Sequence, residues 1–438
     1  MSNTRFLGRA GILVLVALVV LYVPYRYSNG GAATSFVAPA SGAAAAAETE
    51  SVLQALLTVP EDEVGGLAIC AAVRNEGRFI AEWLLYYRVL GVDRFYLYDS
   101  GSTDNMLEVL QPWVKAGTVV LHTFSHDQGS KYQTTALETC SRTYGPTTEW
   151  LLEADADEFY VVTPDLTSQN RSRAIALADM PKQPLRHLLL HHWIYRRADA
   201  IVSSRIAWKN AAYEQLPEGA SVIATQTWRD FHHSIIYDKI TFTKSLLHTQ
   251  KKELPWLLTG AHNFKHESIK ANEAKIMTAD GQPVKADYRL PDEEVGTAYH
   301  GQHQAVRVFE PLVLYHYVER ALQDCLRKLR VAQTLRKGGW RDQAGPEGCK
   351  RDELYYDPSN ELMLHEQNTF YAASTQDRTI ADSWYGQHLP ALIVASLAHA
   401  RDLSKTGEVV QPQVVEPHSV IVDFWREKGL SPLNGTPL

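Results

Sequence analysis

The sequence predicts an α/β fold: a mixed, mostly parallel sheet with helices on both faces. Three observations lead there. Between Leu67 and Phe159, strand-like and helix-like patterns alternate four times, which is how chains that build parallel strands read. Leu67–Val73 is a continuous apolar run, as expected of a strand buried on both faces. Finally, the polar clusters Arg74–Glu76, Asp99–Asp104 and Asp155–Glu158 all fall at the carboxyl ends of predicted strands. In open sheets of this class the ligand lies beyond those ends.

Taken in order, Arg74-Asn-Glu-Gly77 breaks the first strand, and Phe79, Ile80, Trp83, Leu84 and Tyr87 follow at helical spacing up to Gly91, a residue suited to close a helix. Arg94–Tyr98 is a second strand, ending in Asp99-Ser-Gly-Ser-Thr-Asp104. The next helix carries Leu107, Leu110 and Val114, with Thr103 or Asp104 as its cap. Thr118–Phe124 reads as a third strand, residues 131–144 as a helix, and Glu149–Leu152 leads into Glu153-Ala-Asp-Ala-Asp-Glu-Phe159. Beyond residue 160 the pattern is irregular. A strand-like run covers Leu185–Leu190, and others lie around 221–228, 236–243 and Arg307–Tyr317. Residues 318–335 and the stretch near Leu389–Leu397 read as helices.

Composition narrows the function classes. The 438 residues carry 43 Lys and Arg against 50 Asp and Glu, a net charge of −7. That is globular chemistry rather than a disordered chain, and it argues against nucleic acid as the partner, which calls for a basic face. Ten Trp and 21 Tyr leave aromatic surface beyond what a core needs, and sugars and bases both stack on such surface.

The amino terminus reads differently. Residues 10–25 hold no charge, with Arg5 and Arg9 before them and Arg26 after. A cleaved signal peptide and a retained anchor are the two readings. The run spans roughly 24 Å at about 1.5 Å per residue, short for a bilayer core of about 30 Å. Phe6, Leu7 and a snorkelling Arg9 extend it, and Tyr22, Tyr25 and Tyr27 suit an interfacial belt. The expectation is a cytosolic tail over 1–9, a type II signal anchor over 10–27, a stem over 28–62, a catalytic domain over 63–335 and a C-terminal extension over 336–438 packing on it. Val52, Leu53, Leu56 and Leu57 form one helical stripe able to dock on that domain.

Four cysteines stand at 70, 140, 325 and 349, in no zinc-like spacing. Cys325 and Cys349 flank a polar segment and could close a loop, while Cys70 reads equally well as a buried thiol. The pairs His191/His192 and His232/His233 do not make ready chelates, because consecutive residues of a strand face opposite sides.

Asp155-Ala-Asp157 follows an apolar strand. In extended backbone its two carboxylates share a side, an arrangement that favours a cation between them. Oxygen ligands of this kind suit Mg²⁺ or Mn²⁺, which keep positions open for phosphate oxygens. A solvated acidic turn is the plain alternative.

Four motifs now combine. Val73-Arg-Asn-Glu76, the Trp83–Gly91 helix, Tyr98–Asp104 and Trp150–Phe159 together resemble the family 92 and family 2-like glycosyltransferases, over roughly residues 66–160 and more loosely to about 335. The resemblance implies the Rossmann-like GT-A fold and a metal-dependent transfer, with inversion, from a nucleotide-sugar donor, UDP-linked, to a glycan or glycoconjugate hydroxyl. It implies Arg74, Asn75, Glu76, Asp99, Gln133 and Asp155 at the donor, Asp157 and Glu158 as catalytic residues, and Mn²⁺ or Mg²⁺ on Asp155, Asp157 and His316. His316 lies in a late Leu-Tyr-His-Tyr-Val motif ahead of a helix carrying Lys328, and His262 competes for the same role. The Lys/Arg excess before the apolar run keeps that end cytosolic, so the expected address is a Golgi or other secretory-pathway membrane with the catalytic domain lumenal. The acceptor loop of many family 92 members has no clean counterpart around 193–205, so Asp230 and Glu267 stay unassigned as general base. A non-catalytic carbohydrate-binding protein of the same fold, and a nucleotidyl or phosphosugar transferase, remain open.

Overall fold

The structure, a computed structural model, describes residues 43–125, 128–167, 175–209, 213–230, 243–249, 256–260, 262–266, 273–284, 297–300, 308–317, 320–335, 374–407 and 409–417. The predicted tail and anchor, residues 1–27, lie outside them. Among the described residues, no helix is long and apolar enough to cross a membrane.

The first half runs α1 (Ala43–Leu57), β1 (Leu67–Val73), α2 (Ile80–Leu90), β2 (Arg94–Asp99), α3 (Met106–Lys115), β3 (Val119–Phe124), α4 (Tyr132–Tyr144), β4 (Trp150–Glu153) and β5 (Glu158–Val162). There follow α5 (Thr163–Thr167), α6 (Pro184–His191), β6 (Ala200–Lys209), α7 (Val222–Thr225), β7 (Trp228–Asp230), β8 (Thr243–His248), β9 (Leu257–Gly260) and β10 (Asn263–His266). The described remainder is β11 (Ile276–Thr278), β12 (Thr297–His300), β13 (Leu312–His316), α8 (Leu322–Leu335), β14 (Ser374–Gln376), α9 (Trp384–Ser404) and β15 (Gln413–Val415).

Twelve of the described strands make one large mixed sheet, and β9, β10 and β12 make a separate antiparallel one. The centre of the large sheet is parallel, in the order β4-β1-β2-β3-β15. On one side β8 joins β4 antiparallel, and β6 joins β8 antiparallel. β5 and β13, distant in sequence, pair antiparallel with one another, with β13 parallel to β6. Side chains of β1 alternate between two cores. Leu67, Ile69, Ala71 and Val73 pack with α2, α3 and α9, whereas Ala68 and Cys70 pack with Ala136, Leu137 and Cys140 of α4. That period-two division places helices on both faces. A Cys70–Cys140 disulfide, Cα atoms 6.1 Å apart, ties α4 to β1. Cys70 is thus no free thiol. Cys325 is also disulfide-bonded, and its expected partner, Cys349, lies outside the described residues.

Two helices from outside the 63–335 segment pack into this unit. Leu53, Leu56 and Leu57 of α1 are buried, and that helix reaches back to Ala43, inside the segment expected to be stem. α9 lies against α1, α2, α3 and α7, burying Leu389, Leu392, Ile393 and Leu397.

Two expected strands are helices instead. Pro184 opens α6, with Leu185 and Leu189 buried one turn apart. The proline suits a first turn, and the i, i+4 pair outweighs the apolar run. At 221–228, the Ser221 hydroxyl accepts the Ala224 N–H at 3.1 Å, while the buried Glu82 carboxylate accepts from Val222 N at 2.7 Å and Ile223 N at 3.1 Å. These capping bonds satisfy one turn of helix, and the strand β7 starts only at Trp228. The strand expected at 236–243 falls largely outside the described residues, with β8 beginning at Thr243.

A charged cleft at the strand ends

The turn after β1 is braced by the turn after β2. Asn75 sits in the left-handed region, φ 56°, which an Asn tolerates better than most residues. Its N–H donates to Ser102 Oγ at 2.8 Å, and its Oδ1 accepts from Thr103 N at 2.7 Å and Asp104 N at 3.3 Å. Asp99 Oδ1 accepts from the Ser102 hydroxyl at 2.6 Å and its N–H at 3.0 Å. Asp104 accepts from Gly77 N at 2.9 Å and Met106 N at 3.1 Å. Asn75, Asp99 and Asp104 therefore hold loop backbone, Asp104 at the start of α3. Gly77 is needed for close approach, since a Cβ there would lie 2.3 Å from Asn105 Oδ1 and 2.8 Å from Met106 N.

Asp155 and Asp157 lie in the turn between β4 and β5, closed by Glu158 N donating to Asp155 O at 2.9 Å. This is not extended backbone, so the two carboxylates do not share one set of neighbours. Asp155 Oδ1 accepts from Gln133 Nε2 at 2.9 Å and Oδ2 from Lys244 Nζ at 3.0 Å. Asp157 Oδ2 accepts from Lys328 Nζ at 2.8 Å, and His316 Nε2 stands 3.5 Å from Oδ1. Both aspartates line a cleft of about 230 Å³ with Arg74, Glu76, His316 and Lys328. The cleft thus joins the turns after β1 and β4 with the end of β13 and a face of α8.

Buried ions surround it. Lys244 has no exposed side chain and also touches Glu153 Oε1 at 3.0 Å and Glu158 Oε2 at 3.1 Å. Burial would lower the Lys244 ammonium, but Asp155, Glu153 and Glu158 hold it well above its usual value. Burial pushes the Glu153 carboxyl up to about 8 despite Lys244, and raises Glu158 too. Arg320, equally buried, reaches Glu76 Oε2 at 2.7 Å and Asp324 Oδ2 at 3.2 Å, and lies 3.8 Å over the Phe79 ring. Burial alone would raise the Asp157 carboxyl; Lys328, His316 and Arg320 outweigh it and hold it well below the usual carboxylate range.

Of the sequence-predicted residues, Arg74, Glu76, Asp155, Asp157 and His316 meet at the cleft. Arg74 Nε is buried without a hydrogen-bond partner, a costly state that a phosphate or ribose oxygen would relieve. Gln133 supports Asp155. Glu158, expected to be catalytic, is 1 % exposed beneath the turn, accepting the Asp155 N–H at 3.0 Å; it is a support, because its carboxylate is spent on Lys244 and backbone. Burial, then Lys244, lowers His262 to about 3. As a neutral ring it donates from Nδ1 to Thr243 O at 3.0 Å, and it is not among the cleft-lining residues. Reasoning from sequence did not find Lys244 or Arg320. Four carboxylates within Glu153–Glu158 signal a need for buried cations, and Arg320, Asp324 and Lys328 fall at successive four-residue steps.

Among the described residues no three His, Cys, Asp or Glu side chains form a ready metal-binding group; of the expected set, Asp155 accepts from Gln133 and Lys244. The Asp157–His316 pair does fit in donor type, an oxygen and a nitrogen adjacent on the cleft wall.

Residues 66–183 match the family model described as Glycosyltransferase family 92, so the resemblance read from the four motifs holds across that segment. A glycosyltransferase family 92 protein of Ricinus communis is 31 % identical over 121 residues, covering 26 % of this chain and 21 % of the relative. Another, of Oryza sativa subsp. japonica, is 28 % identical over 107 residues, 21 % of this chain and 16 % of the relative. The chain thus spans about a fifth of the length of the relatives it matches. Among solved structures, TarS 1–349 of S. aureus aligns over 79 % of this chain and 93 % of that chain at 10 % identity, with a TM-score of 0.26, too low to bear on the fold or the site.

Proposed function

We propose that the chain is a GT-A glycosyltransferase that moves a sugar from a nucleotide-sugar donor, UDP-linked, to a hydroxyl of a glycan or glycoconjugate, with inversion. One observation carries this reading. The segment that matches family 92 supplies Arg74, Glu76, Asp155 and Asp157 to a single cleft at the carboxyl ends of parallel strands, where such sheets bind ligands. The cleft also offers both signs of charge that a nucleotide sugar needs. Arg74 and Lys328 suit the diphosphate, Arg74 because its buried Nε has no acceptor. Asp155, held still by Gln133 and Lys244, keeps lone pairs for sugar hydroxyls. Asp157 and His316 would hold a Mn²⁺ or Mg²⁺ ion, which when bound supplies Lewis-acid stabilisation of a departing diphosphate. Preorganised cationic groups at the same end act in the same sense without reorganising during the reaction.

A secretory-pathway address, Golgi included, with residues 10–27 as a type II anchor, belongs to the same proposal. The Cys70–Cys140 disulfide supports an oxidising compartment.

The test is a screen of UDP- and GDP-sugars with the full chain in mild detergent and Mn²⁺, following nucleoside diphosphate release. One donor class is expected to be turned over, with activity lost in EDTA. Pyrophosphate or sugar phosphate as product would replace the reading with nucleotidyl or phosphosugar transfer. Nucleotide binding without turnover on any acceptor would favour a non-catalytic carbohydrate-binding protein.

A further inference from the structure

We infer that Lys244 is the positioning residue of this cleft: its buried ammonium, anchored on Glu153 and Glu158, fixes the Asp155 carboxylate in place. The ammonium has three N–H donors, and three carboxylates lie within 3.0–3.1 Å of it. Two of them, Glu153 and Glu158, are 1 % exposed, whereas Asp155 is 33 % exposed and faces the cleft. The cluster is therefore rooted in the interior and reaches the cleft through one side chain only. Glu158 adds a second restraint by accepting the Asp155 N–H at 3.0 Å. A cleft-lining aspartate held only by solvent would sample several rotamers. Here both of its oxygens are claimed, by Lys244 from below and by Gln133 from α4. Buried ion clusters add little net stability over apolar packing of the same volume. What this one supplies is a carboxylate that does not move. The fixing of Asp155 stands independently of the transferase reading, which enters only in naming the donor as the ligand that the fixed carboxylate receives.

The test pairs structure with kinetics on the full chain. Lys244→Met alone would strand the carboxyl groups around it, so the working variant is K244M/E153Q, which removes the ammonium and replaces one of its acceptors by a neutral amide. Crystal structures of wild type and K244M/E153Q are expected to show the Asp155 carboxylate leaving its place, with Glu158 and the β4–β5 turn unchanged. With the donor identified by the release screen, its KM is expected to rise about tenfold or more, the worth of a charge-assisted contact, with a smaller change in kcat. Adding Asp155→Asn to that variant is expected to cost nothing further, since the two changes act through one carboxylate. Gln133→Ala is the second structural probe: with Lys244 present, Asp155 is expected to stay. An unmoved Asp155 in K244M/E153Q, a displaced one in Gln133→Ala, or an unchanged donor KM would overturn the inference. Should the wild type turn over no donor, the transferase reading fails, and the position of Asp155 in the three structures alone decides the role of Lys244.

Discussion

On either side of the Asp155-Ala-Asp157 turn lies a buried charge cluster. The inner one sets Lys244 in direct contact with Glu153, Asp155 and Glu158, with the buried Arg205 also acting on Asp155 and Glu158. The outer one sets Arg320, Arg327 and Lys328 among Glu76, Asp324 and Asp157. Both are desolvated, yet they respond oppositely. In the inner cluster, carboxylates outnumber the nearby ammonium, and burial wins: Glu153 is pushed up to about 8. In the outer cluster the signs balance, and attraction overcomes burial, so Asp157 and Asp324 are held below the usual range. The lesson is that burial alone does not set a carboxylate's proton; the local count of opposite charges decides whether desolvation or attraction prevails.

The largest way to break this contrast is to unbalance the outer cluster. Arg320, 1 % exposed, bridges Glu76 and Asp324, so Arg320→Met leaves two carboxylates without their main partner. A loss of about 3–5 kcal/mol is expected, read by urea unfolding. A loss below about 1 kcal/mol would mean that Arg327 and Lys328 suffice.

Titration separates the clusters next. Glu153 binds its proton more tightly folded than unfolded, its carboxyl rising from 4.5 to about 8, and Glu82 behaves alike, rising to about 7 because burial outweighs its bonds to Ser221 and backbone. Over that window the folded state holds more protons, so stability falls as pH rises from about 4.5 through about 8. Asp157 and Asp324 act the other way: their contribution is full above the ordinary aspartate value of 3.8 and is lost as pH falls below it. Denaturation midpoints measured from pH 3 to 9 should peak on the acid side of neutrality. Glu153→Gln should flatten the decline above neutrality. A midpoint that rises between pH 5 and 8 would contradict the inner-cluster assignment.

Smaller effects sharpen the picture. Gly77→Ala places a Cβ against the Met106 backbone between the two braced turns and should cost about 1–3 kcal/mol. Lys328→Ala, 16 % exposed and paired with Asp157 and Asp324, should cost less than Arg320→Met, about 1–3 kcal/mol, because Arg320 and Arg327 still face those carboxylates. The same change should weaken UDP binding about tenfold, measured by calorimetry; equal UDP affinity would remove Lys328 from the site.

The comparison also shows what the chain discloses before folding. β1, α2, β2, α3, β3 and α4 were legible within a residue or two, because local periodicity and the apolar run at Leu67–Val73 agree with the layers that bury them. The ends of those strands were legible for the same reason, and with them Arg74, Glu76, Asp155 and Asp157. What local pattern could not reveal was pairing across distance. Lys244 meets Glu153 across 91 residues, and Arg320 meets Glu76 across 244. Glu82 caps a helix 140 residues away, which is why residues 221–228 resembled a strand. The resemblance implied Glu158 as a catalytic residue, while its neighbours in space are Lys244 and the backbone of its own turn.

The central claim, that the cleft between the turns after β1 and β4 receives a nucleotide diphosphate, is tested most directly by calorimetric titration of UDP with Mn²⁺ into the full chain, its Arg74→Ala variant and its Asp157→Asn variant. Binding to the wild type is predicted, weakened about tenfold or more in each variant; Arg74→Ala keeps a thermal midpoint close to wild type, whereas Asp157→Asn lowers it by the ion pairs that it loses. Unchanged UDP affinity in both variants would place the nucleotide elsewhere and contradict the account.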